Sequence, residues 1–121
     1  MKTKTLILPL ILGIMIAPTG FAQGAAGEVS SNCPAPTAPS IPDGRNSSEA
    51  EMIDAQGNMK SFIADGNAYL ECLARLEKKW GNGASNDQKT LVVTLHNKMV
   101  DEMNTVADLF NAAVRAFKGR N

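Results

Sequence analysis

By type and spacing, His96, Met99 and Met103 are the side chains best suited to bind a ligand. Steps of three and then four residues place all three on one face of a helix. An imidazole and two thioethers form a soft donor set that suits Cu(I). Met59 is a further thioether, able to approach Met103 if two helices run side by side in opposite directions. The competing reading is packing. Methionine fills irregular helix interfaces, and a histidine at the edge of such a seam packs its ring while its nitrogens reach water. Packing is the preferred reading: no cofactor is assigned, and metal ligation by His96, Met99 and Met103 stands as the alternative.

Catalysis has less to draw on. His96 is the sole histidine. There is no glycine-rich phosphate loop, no HExxH pair and no nucleophile elbow. Asp101 and Glu102 are neighbours, as are Lys78 and Lys79. Adjacent residues point to different faces of a helix, so these pairs read as solvated surface charge. No catalytic residue is assigned, and the chain is not expected to be an enzyme. Asn46-Ser47-Ser48 fits the N-glycosylation pattern, which matters only in a eukaryotic secretory route.

The two cysteines, Cys33 and Cys72, follow what reads as an export signal. Lys2 and Lys4 precede an uncharged apolar run, Leu6 to Ala17, and the small residues Gly20 and Ala22 follow. That order is a secretory signal peptide covering residues 1–22, cut before Gln23, with a second candidate cut after Ala26. The apolar run is shorter than the roughly 20 residues needed to span a bilayer, which argues against an uncleaved anchor. Two cysteines in an exported chain are expected to pair within it, the alternatives being a link between chains or free thiols. The expected location is periplasmic or secreted, with no membrane attachment after cleavage. The full chain has a formal net charge of zero. Loss of Lys2 and Lys4 leaves the remainder slightly acidic, without the basic patch that nucleic-acid binding requires.

The elements that position these residues follow in three segments. Residues 23–47 are rich in Gly, Ala, Ser and Pro. Gln23 to Asn32 reads as a mobile tail. The prolines at 34, 36, 39 and 42 forbid a helix and favour an extended polyproline conformation, so Cys33 to Pro42 reads as an ordered strap. Residues 48–121 form the helical domain. Ser48 to Glu51 is a capping box that opens a first long helix over about 49–80. Met52, Met59, Gly66, Leu73 and Trp80 recur every seven residues along it, flanked by Ala55, Phe62, Tyr69 and Leu76. Gly81-Asn82-Gly83 offers positive-φ positions and breaks the helix. A second capping box, Ser85 to Gln88, or Asn86 acting directly, opens a second helix over about 86–118. Val92, Met99, Val106 and Ala113 step by seven there, as do His96, Met103, Phe110 and Phe117. Val100, Ala107 and Val114 form a second stripe beside the first.

Two helices of about 45 Å each at 1.5 Å per residue, joined by a short loop, predict an antiparallel hairpin. The fold class is therefore all-α: an antiparallel, coiled-coil-like two-helix hairpin with an N-terminal Pro-rich strap disulfide-bonded to the first helix. A polyproline segment from Cys33 to Ser48 covers about 46 Å at roughly 3.1 Å per residue, enough to run back along the helix to Cys72.

Cys33-Pro34, Pro39 to Gly44, Glu51-Met52, Tyr69 to Leu73, Met99 to Met103 and Phe110 to Lys118 together resemble a group of small exported, two-cysteine helical proteins of Gram-negative bacteria. The resemblance spans roughly Cys33 to Lys118. It implies the compartment and the two-cysteine helical design, and carries over no catalytic or binding residue.

The expected function is that of a small exported helical protein acting through protein contacts in a structural, accessory or chaperone-like part. The alternative is a periplasmic binder of Cu(I) or a small ligand. A lone hairpin leaves an apolar stripe to spare, so Val100, Ala107 and Val114 are expected at an interface with a protein partner or a second copy.

Overall fold

The computed structural model describes residues 24–120. The signal-peptide reading of residues 1–22 lies outside them. The described residues are all-helical: α1 (Ala25–Asn32), α2 (Glu49–Trp80), a 3-10 turn (Gly81–Gly83) and α3 (Asn86–Lys118). Cys33 and Cys72 are joined by a disulfide, with their Cα atoms 5.7 Å apart.

Both long helices begin where a side chain satisfies the first free amides. Ser48 Oγ accepts from the Glu51 amide at 3.1 Å, and Glu51 Oε2 accepts from the Ser48 amide at 2.7 Å. Ser85 and Gln88 repeat the arrangement at the start of α3. Ser85, not Asn86, is thus the cap. Such a cap is worth about 1 kcal/mol. Glu49 and Glu51 lie in the first turn of α2, and Lys78 and Lys79 in its last, each sign suited to the helix dipole. The helix ends because Gly81 turns to φ +56°, a conformation that side chains resist.

The heptad residues form the core. One cluster gathers Phe62, Tyr69, Leu73 and Leu76 of α2 with Val92, Met99 and Val106 of α3. A second joins Met52 and Ala55, early in α2, to Phe110 and Ala113, late in α3. Gly66 belongs to this seam: a Cβ there would lie 2.5 Å from Met103 Sδ and 3.4 Å from Met99 Cε. The two methionines therefore fill the space that the missing side chain leaves.

Gly57 has no such role, since a Cβ at that position would have nothing within 4 Å. It is helical and exposed, so Gly57→Ala should raise stability by about 1 kcal/mol. Urea unfolding of the two proteins measures this directly.

The stretch expected as a mobile tail requires correction. Ala25–Asn32 is a helix, and Val29 within it is only 2% exposed. An isolated helix of eight residues is marginal in water, so packing must hold it. Val29 joins the core cluster, and the Trp80 indole Nε1 donates to Glu28 Oε1 at 2.9 Å. The Cys33 amide closes the helix on the Val29 carbonyl, which places the disulfide directly after α1.

Between α1 and α2, residues 34–42 are without helix or strand. A turn then follows: Asp43 accepts from the Arg45 amide and Asn46 Nδ2, each at 3.0 Å, and its carbonyl accepts from buried Ser47 Oγ at 2.6 Å. Arg120 stacks 4.3 Å from the Phe117 ring centroid and donates to the Arg45 carbonyl at 3.2 Å, tying this turn to the end of α3.

Candidate functional site

The histidine–methionine set divides between the seam and the solvent. Met99 is buried at 3% exposure, and Met103 is half-buried against Gly66. His96 is exposed. Met59 is half-buried and touches both core clusters. The thioethers thus pack along the seam, while His96 is on the surface. Among the described residues, no three His, Cys, Asp or Glu side chains are gathered in a way that could hold a metal ion.

The segment after the disulfide lines a series of shallow clefts on one side of the helix pair. Pro34 and Pro36 border one with Asp65, Ala68, Tyr69 and Cys72 of α2. Ala38 and Pro39 border another, of about 470 Å³, with Glu102, Thr105 and Leu109 of α3. Ile41 to Arg45 then meet Leu109, Ala112, Ala113 and Ala116. The contacts on α3 thus advance toward its C-terminus as the segment advances. Tyr69 borders the first of these clefts. Burial, and next the nearby Glu102 carboxylate, raise its hydroxyl above the usual tyrosine value, so the ring is neutral at physiological pH. Lys98 approaches Glu102 at 3.8 Å in an exposed pair, worth a few tenths of a kcal/mol at about this geometry.

The stripe Val100, Ala107 and Val114 is half-buried, and none of the three borders these clefts. Val114 packs on the second core cluster. Ile63 and Leu70 of α2 are also half-buried, and Val93 is 57% exposed. In heptad terms these residues flank the seam on the side away from Cys72 and Asp65.

The sequence reading missed the pair Glu28 and Trp80. A signal for α1 was nonetheless there: Val29 is four residues before Cys33, so one helical turn carries both to the same buried face. Among the described residues, no helix is long and apolar enough to cross a membrane. A disulfide of this kind suits an oxidising, exported environment. No known protein family, curated protein or solved structure matches this chain.

Proposed function

We propose that this chain is an exported accessory protein that works by holding another polypeptide against one face, in a structural or chaperone-like part, and not by catalysis. In this reading α2 and α3 form an antiparallel, coiled-coil-like hairpin, and residues 33–44 are a strap laid over one side of it. The pairing of early α2 with late α3 supports the first part. The succession of clefts from Pro34 to Arg45 supports the second. The sequence likeness to small exported two-cysteine proteins of Gram-negative bacteria points to the periplasm or the medium. A signal cut before Gln23 agrees better with α1 than one after Ala26. The later cut would remove Gly24, whose carbonyl accepts from the Gly27 and Glu28 amides.

The observation that carries the functional part is the uneven cover of the hairpin. On one side, residues 34–45 border clefts together with α2 and α3, while Val93, Val100, Ala107 and Val114 on the other border none of these clefts among the described residues. Buried apolar area drives association, and a mature chain of this size leaves such a face open only at a cost in solubility. The test is affinity isolation of the oxidised protein from the exported fraction, beside a Val100→Glu variant. A stoichiometric polypeptide, whether a second copy or another protein, should accompany the parent and be lost from the variant. Recovery of the parent as a lone monomer, at concentrations matching its natural abundance, overturns the reading.

A further inference from the structure

We infer that the occupant of the open face is a second copy of this chain, laid face to face and end for end, so that the two hairpins form a four-helix bundle with a strap on each outer side. The inference rests on the hairpin and contact reading above and adds the identity of the partner. Its first support is charge. Lysine, arginine, aspartate and glutamate make up 20% of the chain. Yet the rows beside Ile63, Leu70, Val100, Ala107 and Val114 are almost free of charge. On α3 the neighbouring row runs Asn97, Asn104 and Asn111, spaced by seven, and meets a charge only at its end, Lys118. Charge depletion of this kind marks the centre of a protein interface, whereas solvated helix faces keep their charges.

The few charges that remain on this face say which way the partner lies. On α2 they are Lys60, toward the helix start, and Glu77, toward its end. Both are exposed, and neither has an ion-pair partner among the described residues. They stand 17 positions apart, about 25 Å along the axis at 1.5 Å per residue, with the half-buried Ile63 and Leu70 between them. A two-fold axis crossing the hairpin at the level of residues 68–69 lays α2 on α2 in opposite directions. It brings Lys60 of each copy to Glu77 of the other, twice over, as an isologous interface requires. The same operation stacks the α3 asparagine row on its own copy, where amides serve as both donors and acceptors. A partner of one charge sign would meet attraction at one end of the face and repulsion at the other.

Size agrees. A helix of 32 residues is about 48 Å long, and two helices side by side present a face about 18 Å wide, so each copy covers on the order of 800 Å². That is the standard size for a stable pair.

The experiment places a photo-reactive residue at Ala107 of the full chain, carried through its natural export route, and reads the adducts by mass. It is accompanied by sedimentation of the oxidised parent, Lys60→Glu, Glu77→Lys and the double exchange. The account predicts an adduct of twice the chain mass, a dimer in sedimentation, dissociation constants raised about tenfold or more in each single variant, and recovery in the double exchange. Helix content and the disulfide are checked in each variant, and the exchange itself guards against misfolding as the cause. A monomer with a hetero-adduct at residue 107 overturns the second copy as partner and leaves the contact reading standing. A monomer without any adduct overturns both. A dimer indifferent to the charge exchange overturns the end-for-end arrangement.

Discussion

Replacing Cys33 and Cys72 together by alanine should lower the stability of the oxidised protein by about 4 kcal/mol. The two residues are 39 apart, and closing a loop of about 40 residues removes that much chain entropy from the unfolded state. Alanine is the right substitute because Cys33 is 2% exposed: serine would add the cost of a buried hydroxyl. The native state should change little in α2 and α3, which carry most of the core. It should change more in α1. Its eight residues are held by Val29, by the Glu28–Trp80 hydrogen bond and by the disulfide at its end. Thermal unfolding should move down by about 15–30 °C, since a domain under 100 residues shifts roughly 4–8 °C for each kcal/mol. A loss below about 1 kcal/mol would mean that the loop is already restrained in the unfolded chain and that the staple adds little.

Gly44→Ala should rank next, at about 3 kcal/mol, the upper end of what overpacking costs. The reason is a close approach and not backbone conformation, because among described glycines only Gly81 has a positive φ. A Cβ on Gly44 would collide with the Ala113 carbonyl oxygen and would lie 2.9 Å from the Phe117 amide nitrogen. Both belong to the backbone of α3, which cannot rotate aside as a side chain does. The turn must therefore lift from the helix. That loosens the Arg120 hydrogen bond to the Arg45 carbonyl and the packing of Ile41 on both core clusters. Urea unfolding measures the loss, with Gly57→Ala as a control of opposite sign. A Gly44→Ala protein within about 0.5 kcal/mol of the parent would show that the turn does not bear on α3 as described.

These glycines show how far sequence reasoning reaches. The break at Gly81 was legible because a local conformation demands it, and local demands are written in neighbouring residues. The caps at Ser48 and Ser85 were legible for the same reason. So was the all-helical class, since heptad spacing repeats over both long segments. The pairing of Cys33 with Cys72 followed from their number and from the reading of residues 1–22 as an export signal. Gly44 gave no such sign: its need arises from residues about 70 positions away in the sequence, and nothing nearby encodes a distant backbone.

The first helix was harder to read for a related reason. Gly27, Ser30 and Ser31 are weak helix formers, and a run of eight has little intrinsic helicity. Tertiary burial of Val29 and a hydrogen bond to Trp80, more than 50 residues on, decide its state. The histidine–methionine set differs, because packing was already its preferred reading. Spacing placed His96, Met99 and Met103 on one helical side, but spacing does not report depth, and the seam takes the methionines while leaving the histidine in water. The stripe at Val100, Ala107 and Val114 was visible because an apolar row outside the seam is a pattern of its own.

Hydrogen exchange of the oxidised protein, before and after addition of a phosphine reductant, tests most directly whether the sulfur link holds the N-terminal segment on the helix pair. The account predicts that amides from Gly27 to Cys33 and in the Asp43–Asn46 turn are protected when oxidised. After reduction they should exchange far faster, while amides around Leu73 and Met99 remain the slowest. Protection of Gly27 to Cys33 that is the same in both states, or absent in both, would contradict it.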